Sequence, residues 1–227
     1  MSFSSHFVIS PDSPSISRRR FGGMALGAVA ALGVGMTGVA AQSSTPGASP
    51  AASPEASPVA ADAASLLPDP ENAAQGLDKF EDAENDPAAV VVSHKDAFTK
   101  ADLEGWGWQS SITRTFSASD PASLPEDATT GETVTIDTFA DASGAASAFT
   151  AYADAIASQE FQLLDDAALY GDQAHLLWKK DADSGASEAA LVIQKESMII
   201  VITTDAPNGS PIFDTERTAV AMGLRTS

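Results

Sequence analysis

The chain has 227 residues, of which 44% are apolar, 19% charged and 7% aromatic, with a formal net charge of −19. Without residues 1–41 it keeps 9 of 12 basic and 30 of 31 acidic residues, a net charge of −21. A surface of this sign repels phosphates and argues against nucleic acid or anionic lipid as a partner. With no cysteine in the sequence, disulfides, thiolate metal sites and a lipid-modified cysteine anchor are excluded.

The first 41 residues have the pattern of an export signal. A cluster of three arginines precedes an uncharged stretch, residues 21–41, that is rich in glycine and alanine. The cluster resembles the twin-arginine signal motif, whose serine, paired arginines and phenylalanine match Ser17, Arg18, Arg19 and Phe21. The resemblance implies that the twin-arginine translocase is a partner and that the protein works outside the cytoplasm.

The end of this leader predicts cleavage. Residues 39–41, Val-Ala-Ala, place small residues before Gln42, as signal peptidase requires. The alternative is an uncleaved anchor, because residues 21–41 are long enough to cross a bilayer. The chain is expected to contact a membrane only in that case.

A linker is predicted at residues 42–65. Pro46, Pro50, Pro54 and Pro58 recur every four residues among alanine and serine. Proline lacks the backbone donor of helices and sheets, and such a composition buries too little apolar area to fold. We expect a disordered, extended spacer, followed by a single acidic domain over residues 66–227, of which 66–86 are expected to be loosely ordered.

The first elements of the domain are a helix and two strands. One helix is expected within residues 87–104, starting either at Asp86-Pro87 or at Ser93, and ending at Gly105. Strands are predicted over Trp108–Ser117 and Thr133–Ala140. In the second strand, Val134 and Ile136 share one face, opposite the face with Thr133, Thr135 and Asp137.

The next predicted helix begins after Asp141, with Phe149, Tyr152 and Ile156 as its apolar stripe. Strands follow over 161–164 and 174–180, and then a hairpin of 189–194 and 198–204, whose second strand should be central and covered on both faces. The last helix should start with Ser210 as N-cap and Pro211 at its first position, and stop at Gly223, with Phe213, Val220 and Leu224 on one face. The sequence therefore predicts an α+β fold: an antiparallel sheet with two or three helices packed on it.

Four segments of the domain resemble small secreted or lipoprotein-borne domains of actinobacterial and related envelopes. These segments are residues 101–106 (A-D-L-E-G-W), 139–149 (F-A-D-A-S-G-A-A-S-A-F), 169–174 (L-Y-G-D-Q-A) and the closing hairpin and helix. In such domains a turn like Gly171-Asp172-Gln173-Ala174 opens a strand. The resemblance implies a fold type, and no catalytic residue is carried over from it.

No chemical motif marks the chain as an enzyme. It has no nucleophile elbow, P-loop or dinucleotide fingerprint, so no catalytic or cofactor-binding residue is assigned and no cofactor is expected. His94 and His175 lack the spacing of a metal site. Residues 181–188 are rich in Asp, Ser and Gly, but their glycine and acidic residues do not match a calcium loop, which favours an ordinary turn.

Trp106 and Trp108, flanked by Gly105 and Gly107, are the candidate contacts for a ligand or partner. Such side chains stack on sugars or aromatic ligands, and they equally fill a sheet core; packing is favoured for at least one. The favoured function is a non-enzymatic, extracytoplasmic binding or interaction domain for an unknown small molecule or envelope protein. The alternatives are a secreted hydrolase that uses acidic groups and an accessory subunit of an envelope complex.

Overall fold

The computed structural model describes residues 63–165, 167 and 169–226, and within them the predicted α+β class is confirmed. Seven antiparallel strands form one sheet in the order β1-β2-β3-β7-β6-β5-β4. The strands are β1 (Lys79–Asn85), β2 (Trp108–Ser117), β3 (Gly131–Phe139), β4 (Gln162–Asp165), β5 (Gln173–Lys180), β6 (Ser187–Lys195) and β7 (Met198–Ala206). The α-helices with assigned bounds are α1 (Pro87–Ser93), α2 (Lys100–Gly105), α3 (Ala142–Ala157) and α4 (Ile212–Ala221). None of the described helices has the length and hydropathy of a membrane span.

The predicted β6–β7 hairpin is confirmed, and β7 is a central strand. It lies between β3 and β6, and its turn contains Glu196 at a φ of 53°. Ile200 and Ile202 pack into the core on one face of the sheet, and Ile199 and Val201 into the core on the other. Because successive side chains of a strand point to opposite faces, an apolar run of this length requires a layer on both sides.

Helix α3 supplies the layer on one face, as the sequence predicts. The Asp141 side chain caps its first turn by accepting a hydrogen bond from the Gly144 amide at 2.8 Å. Phe149, Tyr152 and Ile156 are all buried against the sheet. Spacings of three and four residues place them on one side of the helix, which fixes the side that faces the sheet.

Helix α4 covers the opposite face, but its predicted start and apolar stripe are wrong. The N-cap is Pro211 rather than Ser210, and no side chain caps the helix. Phe213 is 72% exposed and Val220 47% exposed, so both lie on the outer side. The buried residues are Thr215, Thr218 and Ala219, whose small side chains allow a close approach to the sheet. Leu224 is buried as expected, and Gly223 ends the helix at a φ of 69°.

Two short helices replace the single helix expected within residues 87–104. Asp86 caps α1 through a 2.8 Å hydrogen bond from the Ala89 amide, which confirms the first of the two predicted starts. Lys95 and Asp96 then adopt φ angles of 56° and 57°, which a continuous helix cannot accommodate. Helix α2 begins at a capping box formed by Thr99 and Asp102. Ser93 therefore ends a helix and starts none.

The edge strand β1 was not among the predicted elements, because its residues are mostly charged and exposed. The segment before it covers the α4 side of the sheet, with Leu67 and Leu77 in the core. Arg114 of β2 binds both β1 and the segment before it. It donates two hydrogen bonds to Asp82, at 2.6 and 2.7 Å, and one to the Pro68 carbonyl at 2.9 Å. Charged edge residues protect an exposed strand from pairing with other chains.

Candidate functional site

An open, polar cleft of about 270 Å³ lies where α2, β2 and the start of α3 meet. Residues 104–107 form one wall, and Ala140, Asp141 and the first turns of α3 form the other, including Ser143 and Ser147. The lining carries carboxylate and hydroxyl groups and contains no lysine or arginine. Such a surface offers hydrogen-bond acceptors and donors to a small polar ligand.

Two glycines bring the walls together. Gly107 turns the chain from α2 into β2 at a φ of 73°, a conformation that favours glycine, and its carbonyl accepts a 2.8 Å hydrogen bond from the Ala140 amide. Gly144 lies against Trp106: a Cβ at this position would stand 2.0 Å from the Trp106 carbonyl oxygen. The first turn of α3 therefore approaches the Trp106 backbone this closely only because residue 144 has no side chain.

The structure gives the two candidate tryptophans different surroundings. Trp106 is half-buried, lines the cleft, and packs edge-on against Phe98 with 5.4 Å between ring centroids. Trp108 turns its indole into the sheet, where Nε1 donates a 3.0 Å hydrogen bond to Asp137 Oδ1. The N–H of Trp108 is thus bonded within the fold, and of the two tryptophans only Trp106 belongs to the cleft lining.

A buried polar group lies under α3, and sequence reasoning missed it. Asp137 is 0% exposed, although strand alternation placed it on the polar face with Thr133 and Thr135. Within the described residues, Asp137 Oδ2 and Tyr152 Oη have no hydrogen-bond partner. The only sequence signal is that Asp137 is the single charged residue between Thr133 and Ala140.

Burial determines the protonation behaviour of this group. It raises the pKa of the Asp137 carboxyl to about 6, against the opposing effect of the polar groups of Trp108, Ser111 and Tyr152. Burial also raises the pKa of Tyr152 well above its usual range, and the nearby Asp137 adds to this. Ser111 pairs with Asp137 in the β2–β3 register, so the strand alignment itself creates the cluster.

The two histidines of the domain lie apart and contact aromatic rings. His94 is buried after α1, with Nδ1 2.9 Å from the Val90 carbonyl and its ring 4.3 Å from that of Tyr152. Burial lowers the pKa of His94. His175 is half-buried and meets the edge of Phe149 at 5.0 Å. No group of three His, Cys, Asp or Glu residues in the described part of the chain could hold a metal ion.

Residues 181–186 of the acidic segment connect β5 to β6, as predicted, and residues 187 and 188 already belong to β6. Asp181 Oδ1 accepts hydrogen bonds from the amides of Asp183, at 2.9 Å, and Ser184, at 2.7 Å. These bonds lower the pKa of Asp181. Gly185 completes the turn at a φ of 78°. The carboxylate therefore closes an Asx-type turn.

The signal residues Ser17, Arg18, Arg19 and Phe21 lie outside the described residues, and so do residues 42–62 of the linker predicted over 42–65. The last three residues of that range, 63–65, are helical, and Ala63 is buried. No family model and no curated protein matches the chain. Among solved structures, it is similar to the extracellular domain of PknH from Mycobacterium tuberculosis. The identity is 7% and the TM-score 0.46, over 72% of this chain and 95% of that domain. A likeness of this degree carries no conclusion about ligand or activity.

Proposed function

We propose that this protein is an exported, non-enzymatic domain that binds a small polar ligand outside the cytoplasm, in the cleft beside Trp106. Export is supported by the twin-arginine pattern at Ser17–Phe21 and by the proline-rich spacer that follows it. Binding is supported by one observation above the rest: an open polar cleft is lined by Trp106, Asp141 and the first turns of α3. The hydroxyl and carboxylate groups of this lining suit a small ligand that carries hydroxyl groups, such as a sugar.

The export step is tested by paired arginine substitutions. Arg18→Lys together with Arg19→Lys should leave the protein in the cytoplasm, because the translocase reads the arginine pair. Arg20→Lys is the matched control, since it changes an adjacent arginine at the variable position of the motif, and export should continue. Fractionation and immunoblotting measure both variants. Normal export of the double variant would refute the assignment.

The binding step is tested by native mass spectrometry of the protein purified from its own envelope. A co-purifying small molecule is expected, and Ser147→Leu, which places a larger side chain in the cleft, should remove it. Ala146→Leu is the control, because Ala146 is exposed on the neighbouring position of α3 and is not part of the lining. A protein partner in place of a small molecule would favour the accessory-subunit hypothesis. Loss of the molecule from both variants, or from neither, would contradict binding in this cleft.

A further inference from the structure

The buried carboxyl of Asp137 is connected to the cleft through Trp108, the residue that follows Gly107 of the lining. It precedes Asp141 of the lining by four residues on the same strand and loop, and one of its oxygens accepts the Trp108 hydrogen bond. Its other oxygen and the Tyr152 hydroxyl are buried without a hydrogen-bond partner in the described part of the chain. Burial of this degree favours the neutral form of a carboxyl group, since it removes the water that would stabilise the charge.

The surrounding elements supply no cation. On β2 the neighbours of Asp137 are Ser111 and Trp108, and on β7 its register partner is the apolar Ile199. From α3 the titratable group is Tyr152, and behind the Tyr152 ring lies His94, from the end of α1. None of the salt bridges among the described residues involves Asp137. The polar groups of Trp108, Ser111 and Tyr152 favour the ionised carboxylate, but they do not offset the cost of its burial. Ionisation is therefore only partly compensated unless water enters.

The side chains that enclose Asp137 also contact residues of the cleft lining. Tyr152 stacks on Phe98, with 5.0 Å between centroids and 17° between planes, and Phe98 supports Trp106. Trp108 follows Gly107, whose carbonyl holds the Ala140 amide of the opposite wall. A displacement of Tyr152 or Trp108 is thus transmitted to Trp106 and to the start of α3 by direct contact.

We propose that Asp137 is a pH-operated switch coupled to the cleft: the protonated carboxyl keeps Trp108, Tyr152 and the α1–α2 segment packed, and its ionisation opens this packing to water. The closed arrangement is the one with the neutral carboxyl. When the packing around Asp137 opens, water reaches the carboxyl and its pKa returns to the ordinary value. The open population therefore rises with pH between about 4 and 6 and then levels off. The switch does not depend on which ligand the cleft takes.

Hydrogen exchange and NMR on the full chain test this proposal without any ligand. After correction for the intrinsic exchange rate, the opening constant at the Trp106–Trp108 amides should rise about tenfold per pH unit between pH 4 and 6. The indole N–H signal of Trp108, assigned through Trp108→Phe, should move with a midpoint near pH 6. Asp137→Asn should abolish both effects, whereas Asp154→Asn, on the exposed side of α3, should preserve them.

Two results would overturn the switch. The first is a Trp108 signal that does not move between pH 4.5 and 7.5. The second is equal opening at Trp106 and at Val192 of the central sheet, because a purely structural role of Asp137 affects only global unfolding. If Asp137→Asn fails to fold, Tyr152→Phe is tested in its place. This variant removes a hydroxyl that favours the ionised carboxyl, so the pH midpoint of the Trp108 signal should rise. An unchanged or lower midpoint would count against the proposal.

Discussion

Replacing Asp137 by asparagine should remove one contribution to the pH dependence of stability, the one that lowers stability as the pH rises. Asparagine keeps an oxygen that can accept the hydrogen bond of Trp108 Nε1, and its side chain has almost the same shape. It cannot ionise, so the buried site remains neutral at every pH. The comparison therefore isolates one event, the ionisation of a carboxyl group that is fully enclosed in the folded state.

The magnitude follows from the two states of the carboxyl. Folding raises the pKa of Asp137 from 3.8 to about 6, and each pH unit corresponds to about 1.4 kcal/mol. Because the folded-state pKa is the higher one, the folded protein binds the proton more tightly. The contribution of the protonated Asp137 carboxyl to the stability of the fold is complete below pH 4 and is lost as the pH rises to about 6. Between pH 3.5 and pH 7, the free energy of unfolding of wild type should therefore fall by about 3 kcal/mol relative to that of Asp137→Asn.

Urea unfolding at pH 3.5, 5, 6 and 7, followed by tryptophan fluorescence, measures this difference. Asp78, Asp82, Asp102 and Asp181 have pKa values lowered by hydrogen bonds, and they favour folding as the pH rises, but they are common to both proteins and cancel. Asp154→Asn removes the same charge from an exposed position and serves as control. If the difference between wild type and Asp137→Asn stays constant within about 1 kcal/mol over this range, the carboxyl does not titrate as the buried geometry requires.

Two further pairs of variants test the packing. Gly144→Ala should destabilise the protein by about 1–3 kcal/mol, because its Cβ would collide with the Trp106 carbonyl. Gly105→Ala, where a Cβ meets nothing within 4 Å, should be neutral or stabilising by up to about 1 kcal/mol. Equal melting temperatures of the two glycine variants would contradict the close approach of Gly144 to Trp106. Phe149→Ala should cost about 3–5 kcal/mol, since the ring is buried. Phe213→Ser should change stability by less than about 0.5 kcal/mol in the same denaturation assay, and a larger loss would show that Phe213 packs against another element.

Local patterns predicted most of the sheet. The β-branched run of Met198–Thr204, the alternation around Val134 and the caps at Asp86 and Asp141 depend on backbone chemistry within a few residues, and the structure confirms them. Strand β1 escaped prediction because its charged side chains carry no apolar alternation. It forms because β2 offers free backbone groups along its edge and Arg114 binds Asp82 across the pair.

The sequence by itself determined the export pattern, the acidic character, the fold class and the side of α3 that faces the sheet, since each is written in residues close together in the chain. Tertiary structure alone decided which side of α4 is buried, because small threonine side chains fit the sheet better than Phe213 does. It also decided that Asp137, Trp108 and Tyr152 share one enclosed site. These residues lie up to 44 positions apart, and only strand register and helix packing bring them together.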